Sequence, residues 1–221
     1  MRITAIEPRR KGLRALYLDG EFAVNIDAET LLFSPHRIGQ EITDEELHNL
    51  IKESDVRRAR EKALYLLSHR DHSKKELEDK IVRSGTSGEA ARTAALRMEE
   101  IGLVNDESFA RRYADELCKR KYFSKSRIAY ELQKKGIDRD LIHAIIEEMA
   151  VDPAQQLREL LARKYARNLQ DEKGRRRTVA ALQRLGYRWE DIRRALEEFM
   201  PDEGREDEIY DGENRHDYPG M

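Results

Sequence analysis

The sequence predicts a mainly α-helical protein, with three tandem three-helix repeats forming an elongated, mildly curved body behind a small β-rich N-terminal domain. The first observation is a short basic helix pattern that recurs about every fifty residues, at 73–85, 124–136 and 174–186. The second is the helical spacing of apolar residues from Asp55 onward. The third is the low aromatic content of 7%, which favours thin helical elements over a thick mixed core. Since so small a unit buries little apolar surface alone, the repeats are expected to pack on one another.

The first 43 residues differ from the rest of the chain and predict the β-rich domain. Apolar residues alternate on both sides of Asp19-Gly20, a dipeptide favoured in tight hairpins because such turns need positive φ. The motif Thr43-Asp-Glu-Glu46 matches a capping box, in which the first and last side chains satisfy each other's backbone N–H groups. It predicts a connecting helix that ends near Glu53, within a segment of residues 44–55.

Each repeat is predicted to centre on a middle helix that lies between a capping residue and a glycine. Ser73 and Ser124 are the predicted N-caps, Glu76 would complete a capping box with Ser73, and Gly174 stands at the capping place in the third copy. The three helices are expected to end at Gly85, Gly136 and Gly186. The repeats are predicted to cover residues 56–106, 107–152 and 153–200.

The formal net charge of −2 conceals an uneven distribution. Residues 201–221 carry eight Asp and Glu but two Arg, so residues 1–200 carry a net charge of +4. A basic body with an acidic tail is typical of proteins that work near nucleic acid. A disordered, solubilising tail is the alternative interpretation, and the sequence leaves both open.

The sequence offers no coherent catalytic or metal-binding set and therefore predicts a binding protein that needs no cofactor. His69-Arg70-Asp71 resembles a kinase catalytic motif, but Glu76 stands where that motif needs Asn. His69 and His72 have no further metal ligands at suitable spacing. No phosphate-binding Gly-x-x-x-x-Gly-Lys-Ser/Thr loop occurs. The lone Cys118 excludes an internal disulfide and is expected in the core.

The expected location is the cytoplasm. No apolar run reaches the roughly 18 residues of a membrane span, and the N-terminus lacks the apolar core of a signal peptide. No membrane partner is expected.

Positive charge recurs around the start of each middle helix, where the backbone N–H groups and the helix dipole also favour anions. Aligned repeats would place these charges in a stripe that suits phosphates or an acidic protein surface. The alternative is a set of solvated helix faces with local ion pairs. The candidate binding residues are Lys74, Lys75, Lys119, Arg120, Lys121, Lys125, Arg127, Arg175, Arg176 and Arg177.

Three aromatic residues near these positions could stack on bases. Tyr122 and Phe123 are interpreted instead as core residues that close the turn between helices, and Trp189 as a packing residue.

The second repeat carries a resemblance to a known family. The stretch GLVNDESFARRYADELCKRKYFSKSRIAYELQKKGIDRDLI, residues 102–142, resembles the core signature of the RecX family of bacterial recombination regulators. ALYLLSHRDHSKKELEDKI, residues 63–81, is similar to that family's first-repeat pattern. The resemblance covers residues 56–200, densely over 60–148 and more loosely in the third repeat. The N-terminal β-rich segment is not part of the shared core.

The resemblance implies an all-helical three-repeat protein that binds the filament of a RecA-type recombinase on single-stranded DNA. Such a protein would lie in the filament groove and curb ATPase, strand-exchange and co-protease activities. The expected protein is a monomer with no enzymatic activity, and its partners would be the filament and single- or double-stranded DNA. The alternatives are a stand-alone basic DNA-binding repeat protein and a neutral helical scaffold for an unrelated protein.

Overall fold

The computed structural model describes residues 1–200, and the predicted acidic tail at 201–221 lies outside the described residues. The chain begins with an antiparallel sheet in the order β1-β2-β3. The strands are β1 (Ile3–Pro8), β2 (Leu13–Leu18) and β3 (Glu21–Asp27). The predicted hairpin is confirmed, because Asp19 and Gly20 have φ of 49° and 91° and form a two-residue turn between paired Leu18 and Glu21.

Two helices follow the sheet, α1 (Ala28–Phe33) and α2 (Asp44–Leu67). The capping box at Thr43 is confirmed, since its hydroxyl accepts from the Glu46 N–H and the Glu46 carboxylate accepts from the Thr43 N–H. The predicted helix end near Glu53 is wrong. No Gly or Pro interrupts residues 44–67, and α2 serves two cores.

These two cores explain the length of α2. Leu50 packs in a core made by the inner face of the sheet, with Ile3, Leu16 and Ile26. Further along α2, the small side chain of Ala59 packs in a core that belongs to the first repeat. The buried members of the second core are Ala59, Ala63, Leu77, Ile81, Ala90, Ala91, Ala94, Ala95, Met98 and Val104.

The chain forms two compact units, of which the first comprises residues 1–119 and 128–149 and the second residues 120–127 and 150–200 of the described part. The helices of the middle of the chain are α3 (Lys74–Val82), α4 (Gly88–Glu100), α5 (Asp106–Lys121), α6 (Lys125–Lys134) and α7 (Arg139–Glu148).

The second unit continues with α8 (Pro153–Leu160), a π-helical turn (Leu161–Tyr165), a 3₁₀ turn (Ala166–Gln170), α9 (Glu172–Arg184) and α10 (Trp189–Phe199). Its buried core is formed by Leu157, Leu160, Leu161, Tyr165, Leu169, Val179, Leu182, Tyr187, Ile192 and Ala195. Asp152 is the N-cap of α8, and Pro153 occupies the first helical position.

One predicted cap is wrong. Gly174 was placed at the N-cap of the third middle helix, but α9 begins at Glu172 and its N-cap is Asp171. The Gly174 N–H donates to Asp171 Oδ1 at 2.5 Å. Glycine has no side-chain acceptor for the orphan N–H groups of a helix start, whereas an Asp three residues earlier supplies one.

The predicted helix ends are confirmed, because each glycine after a middle helix has left-handed backbone. The φ values are 94° at Gly85, 74° at Gly136 and 91° at Gly186. The mainly α fold class with a small N-terminal sheet is therefore confirmed. Within residues 1–200, no helix combines the length and the apolar character that crossing a membrane requires.

Candidate binding surface

The capping serine of the first repeat also binds the second repeat. The Ser73 hydroxyl accepts from the Glu76 N–H at 3.2 Å and donates to the carbonyl of Lys135 at 2.6 Å. Gly136 follows directly, and a Cβ built on it would lie 2.4 Å from Lys75 Cβ. Only glycine therefore allows the end of α6 to approach the start of α3 this closely.

The same arrangement recurs in the second unit. The Ser124 hydroxyl accepts from the Arg127 N–H at 3.2 Å and donates to the carbonyl of Gly186 at 2.7 Å. The Ser124 N–H also donates to the carbonyl of Leu185 at 3.0 Å. A Cβ on Gly186 would lie 2.4 Å from Ser124 Oγ and 2.6 Å from Arg127 Cβ.

In both joints the serine and the carbonyl that it binds lie 62 residues apart. The start of one middle helix thus holds the end of the middle helix in the next repeat. This recurrence gives a physical reason for three copies of the same helix, since each copy supplies one half of a joint. The sequence predicted the serines as caps of their own helices and missed the second bond, which joins distant residues.

A partly buried ion cluster supports the first joint. The Glu76 carboxylate lies 2.7 Å from Arg70 Nη2, 3.1 Å from Lys135 Nζ and 3.3 Å from His72 Nδ1. Burial would raise the pKa of Glu76, but the hydrogen bonds from Arg70 and Lys135 outweigh it and lower the pKa to about 2. Burial lowers the pKa of His72. The capping box predicted for Ser73 and Glu76 is therefore only half formed, because the Glu76 carboxylate binds the cations of Arg70 and Lys135 instead.

The candidate residues of the second repeat lie on both sides of one turn. Lys119, Arg120 and Lys121 occupy the last turn of α5, and Lys125 and Arg127 occupy the first turn of α6. Lys119 Nζ binds Asp115 Oδ2 at 2.5 Å, and this hydrogen bond raises the pKa of Lys119. Within residues 1–200, neither Lys121 nor Lys125 forms an ion pair. These two side chains are therefore available to an external anion.

The candidate lysines of the first repeat are held by neighbouring carboxylates. Lys74 Nζ lies 2.6 Å from Glu99 Oε2, and Lys75 Nζ lies 2.8 Å from Asp79 Oδ1. For these two lysines, the observed contacts match the alternative interpretation, in which the charges form ion pairs within the protein. An anion could bind these lysines only by displacing the carboxylates.

The candidate arginines of the third repeat lie one turn inside α9, because that helix begins at Glu172. Arg176 forms an ion pair with Glu172. Arg177 is exposed and has no ion-pair partner in the described part of the chain. Arg177 is therefore available to an external anion, as Lys121 and Lys125 are.

Positive charge is concentrated in the second unit. Residues 120–127 and 150–200 carry sixteen Lys and Arg but eight Asp and Glu, a net charge of +8. Residues 1–119 and 128–149 carry twenty-four Lys and Arg but twenty-eight Asp and Glu, a net charge of −4. The modest +4 of residues 1–200 is therefore the sum of an acidic unit and a strongly basic one.

The sequence reasoning missed two arginines near the Tyr122 turn. Arg163 Nη1 donates to Tyr122 Oη at 3.5 Å. Arg188 directly follows Tyr187, whose hydroxyl donates to the Tyr122 carbonyl at 2.9 Å. Arg163 lies in a π-helical turn, whose geometry departs from the regular α-helical spacing on which the sequence predictions rest.

The aromatic residues of this region are held by protein contacts. Tyr122 is half-buried and packs against the core of the second unit, with left-handed backbone at φ 55°. The Arg127 guanidinium lies over the Phe123 ring, 5.5 Å from its centroid. These contacts agree with the interpretation of Tyr122 and Phe123 as turn-closing residues. Trp189 begins α10 and is 37% exposed.

The spacing of His69 and His72 does not predict a metal site. In the structure His72 is buried against Glu76, and His69 Nδ1 lies 2.7 Å from the carbonyl of Tyr65. Across residues 1–200, no cluster of three or more His, Cys, Asp or Glu side chains is placed to hold a metal ion. Cys118 is buried, as expected for a core residue.

The fold and the surface together define a protein of linked three-helix units with an exposed basic region. Family models for the first, second and third three-helix domains of RecX match residues 59–98, 105–145 and 151–196. These matches span more than half of the chain, which therefore belongs to the RecX family of regulatory proteins.

Individual relatives agree with the family models. Regulatory protein RecX of Caldanaerobacter subterraneus is 34% identical over 150 residues, covering 67% of this chain and 76% of the relative. Its namesake from Bacillus subtilis is 27% identical over 215 residues, covering 93% and 81%.

Two solved structures share the fold. A crystal structure of regulatory protein RecX aligns with a TM-score of 0.56 and 19% identity, covering 91% of this chain and 99% of that chain. RecX from Lactobacillus salivarius aligns with a TM-score of 0.53 and 21% identity, covering 66% and 97%.

Proposed function

We propose that this chain binds the groove of a RecA-type recombinase filament on single-stranded DNA and lowers its ATPase, strand-exchange and co-protease activities. Family membership gives the class of regulator. The observation that carries the proposal is the net charge of +8 on the described part of the second unit, against −4 on the first. A basic unit suits filament DNA or an acidic recombinase surface. We place this activity in the cytoplasm, with a monomer as the active species.

The proposed contacts begin with three of the candidate cations, Lys121, Lys125 and Arg177, which have no ion pair in the described residues. They can bind an anion without first losing a carboxylate partner. Each phosphate that they neutralise would release condensed counterions. The other candidate residues are secondary in this proposal, and they are Lys74, Lys75, Lys119, Arg120, Arg127, Arg175 and Arg176.

The proposed mechanism combines obstruction with a shift in the state of the filament. A ligand that prefers one filament state moves the population toward that state. A chain of repeats touching successive protomers also gains avidity, because the second contact forms at high effective concentration. A body in the groove would block the incoming DNA strand and restrain the motions that ATP turnover needs.

The test is the ATPase rate of the cognate recombinase on single-stranded DNA, with this protein titrated well below one per protomer. The wild type is expected to inhibit. The double variant Lys121→Ala/Lys125→Ala is expected to need roughly tenfold more protein for half inhibition, since two phosphate contacts are lost.

The matched control is the double variant Lys75→Ala/Lys119→Ala, which removes two lysines held by Asp79 and Asp115. It should stay within about twofold of the wild type, because these exposed charges are already paired. Equal weakening in both double variants would show that total charge matters and not the proposed surface. If both double variants inhibited as well as the wild type, the contact with the filament would have to lie elsewhere on the protein.

A stand-alone DNA-binding protein is the second candidate. The net charge of +8 on the second unit is a stronger argument for it than the net charge of +4 on residues 1–200. It would bind bare DNA with a steep salt dependence and would not inhibit the recombinase at amounts well below one per protomer. A neutral scaffold would bind neither DNA nor filament. The same titration, run beside a DNA-binding assay, separates the three.

The acidic tail gives a further expected result. Residues 201–221 carry a net charge of −6 and could compete with phosphate for the basic surface. Deleting these residues should tighten binding to single-stranded DNA at low salt, and the difference should shrink as salt screens the charges. Unchanged affinity at low salt would refute this competition.

A further inference from the structure

The N-terminal sheet has an outer face that the helical repeats do not use. Its inner face packs on α2, whereas a shallow depression of about 650 Å³ opens on the outer side. The depression is lined by Arg9, Arg10, Leu13, Tyr17, Phe22 and Asn25. The family models begin at residue 59, so they describe no part of this face.

Two aromatic rings form the floor of the depression. Tyr17 and Phe22 are directly paired across β2 and β3, and their rings meet edge to face with centroids 5.9 Å apart. Phe22 is 54% exposed, so much of its side chain is accessible to a ligand. The Tyr17 ring is fixed through its hydroxyl, which accepts from Arg9 at 2.9 Å and donates to Glu7 at 3.0 Å. The Tyr17 ring is therefore held in place before any ligand arrives.

Cations surround this platform. The hairpin between β1 and β2 carries three successive basic residues, Arg9, Arg10 and Lys11. Arg9 shares the Glu7 carboxylate at 3.3 Å, but within residues 1–200 neither Arg10 nor Lys11 forms an ion pair. No Asp or Glu lines the depression itself. This positive region is local, since the unit that contains it has a net charge of −4.

We propose that the outer face of the sheet, with Tyr17, Phe22, Arg10 and Lys11, is a second binding site, specific for single-stranded nucleic acid. An unpaired base would stack on the exposed ring of Phe22, and the neighbouring phosphates would lie against Arg10 and Lys11. The exposed Asn25 amide lies in the same depression and can bond a base edge. The aromatic floor distinguishes this surface from one that only attracts acidic protein, which would need the cations but no open ring.

The experiment uses the full chain and a twenty-nucleotide oligo-dT that contains 5-iododeoxyuridine, which couples to nearby aromatic side chains on irradiation. Trypsin cuts after Arg14 and Arg37, so Tyr17 and Phe22 lie on one peptide, residues 15–37. We expect an adduct on that peptide at Tyr17 or Phe22. In Phe22→Ala, the affinity of this site should fall about fivefold or more, with a matching loss of adduct at subsaturating protein.

Phe33→Ala is the matched control, because Phe33 lies on the same tryptic peptide and is 79% exposed but does not line the depression. This variant should keep the wild-type adduct. The Arg10→Glu/Lys11→Glu variant should lose it, and a duplex of the same length should give none, since its bases are already stacked. Because Phe22 is exposed, the melting curve of Phe22→Ala should match that of the wild type.

Adducts confined to residues 56–200 would overturn the proposal, as would equal adduct yields with duplex or with Phe22→Ala. An effect of Arg10→Glu/Lys11→Glu on recombinase binding without any adduct on residues 15–37 would also overturn it and would point to an acidic protein surface. The ATPase titration of the Lys121/Lys125 variant is independent of these outcomes, so the two proposals can fail separately.

Discussion

Replacing Gly136 by alanine is expected to destabilise the fold by about 3 kcal/mol. The left-handed φ of 74° costs a non-glycine residue about 1 kcal/mol. The added Cβ would also lie 2.4 Å from Lys75 Cβ, which is the root of that side chain and cannot swing away. Separating α6 from α3 to relieve this overlap should cost about 2 kcal/mol and break the bond from Ser73 to Lys135.

Gly85 provides the matched control. It ends the middle helix of the first repeat with φ 94°, but a Cβ there meets nothing within 4 Å. Gly85→Ala should therefore lose only the conformational part, about 1 kcal/mol. Urea unfolding followed by circular dichroism would give both values. Equal losses at Gly85 and Gly136 would show that the close approach of α6 to α3 contributes nothing.

Replacing Glu76 by glutamine is expected to remove about 2 kcal/mol of stability at pH 7 and to change its pH dependence. The usual carboxyl pKa of 4.5 is lowered to about 2 in the fold, so the charged form is favoured by folding. The contribution of Glu76 is fully present above about pH 5 and is lost as the pH falls from 4.5 toward 2. The wild-type and Glu76→Gln stabilities should therefore converge in that range.

His72 also makes the protein less stable as the pH falls, but at a higher pH than Glu76 does. Burial lowers its pKa below 6.5, so folding disfavours the protonated ring. Its contribution is present above pH 6.5 and is lost as the pH falls below that value. The thermal stability of the wild type should thus fall in two steps as the pH is lowered. The Glu76→Gln substitution should remove the step at lower pH.

The control for Glu76 is Glu89→Gln, which breaks the 3.0 Å ion pair with Lys52. Those side chains are 75% and 58% exposed, so the expected loss is less than about 1 kcal/mol at any pH. If both variants lost the same stability, the ion cluster around Glu76 would contribute no more to stability than an exposed ion pair does.

The local features of the fold could be predicted from the sequence, because each depends on residues a few positions apart. The Asp19-Gly20 hairpin, the Thr43 capping box and the Asp152 cap are all determined within four residues. The same is true of the glycines that end the middle helices, since left-handed backbone is their own local property. Family membership also rested on such short motifs in a fixed order.

Other local predictions failed where a competing partner was available. The carboxylate of Glu76 was expected to cap the Ser73 backbone, but Arg70 and Lys135 offered it stronger, charged partners. Gly174 was expected as a cap, but Asp171 offered an acceptor where glycine has none.

The sequence by itself determined the glycine ends of the middle helices, the family and the list of candidate cations. Only the tertiary structure decided that Lys74 is held by a carboxylate, because its partner Glu99 lies 25 positions away, and that Ser73 joins two repeats, because the Lys135 carbonyl lies 62 positions away. It also decided that α2 continues through two cores and that positive charge gathers in one unit. Contacts between residues so far apart follow from packing, and packing leaves no periodic signal in the sequence.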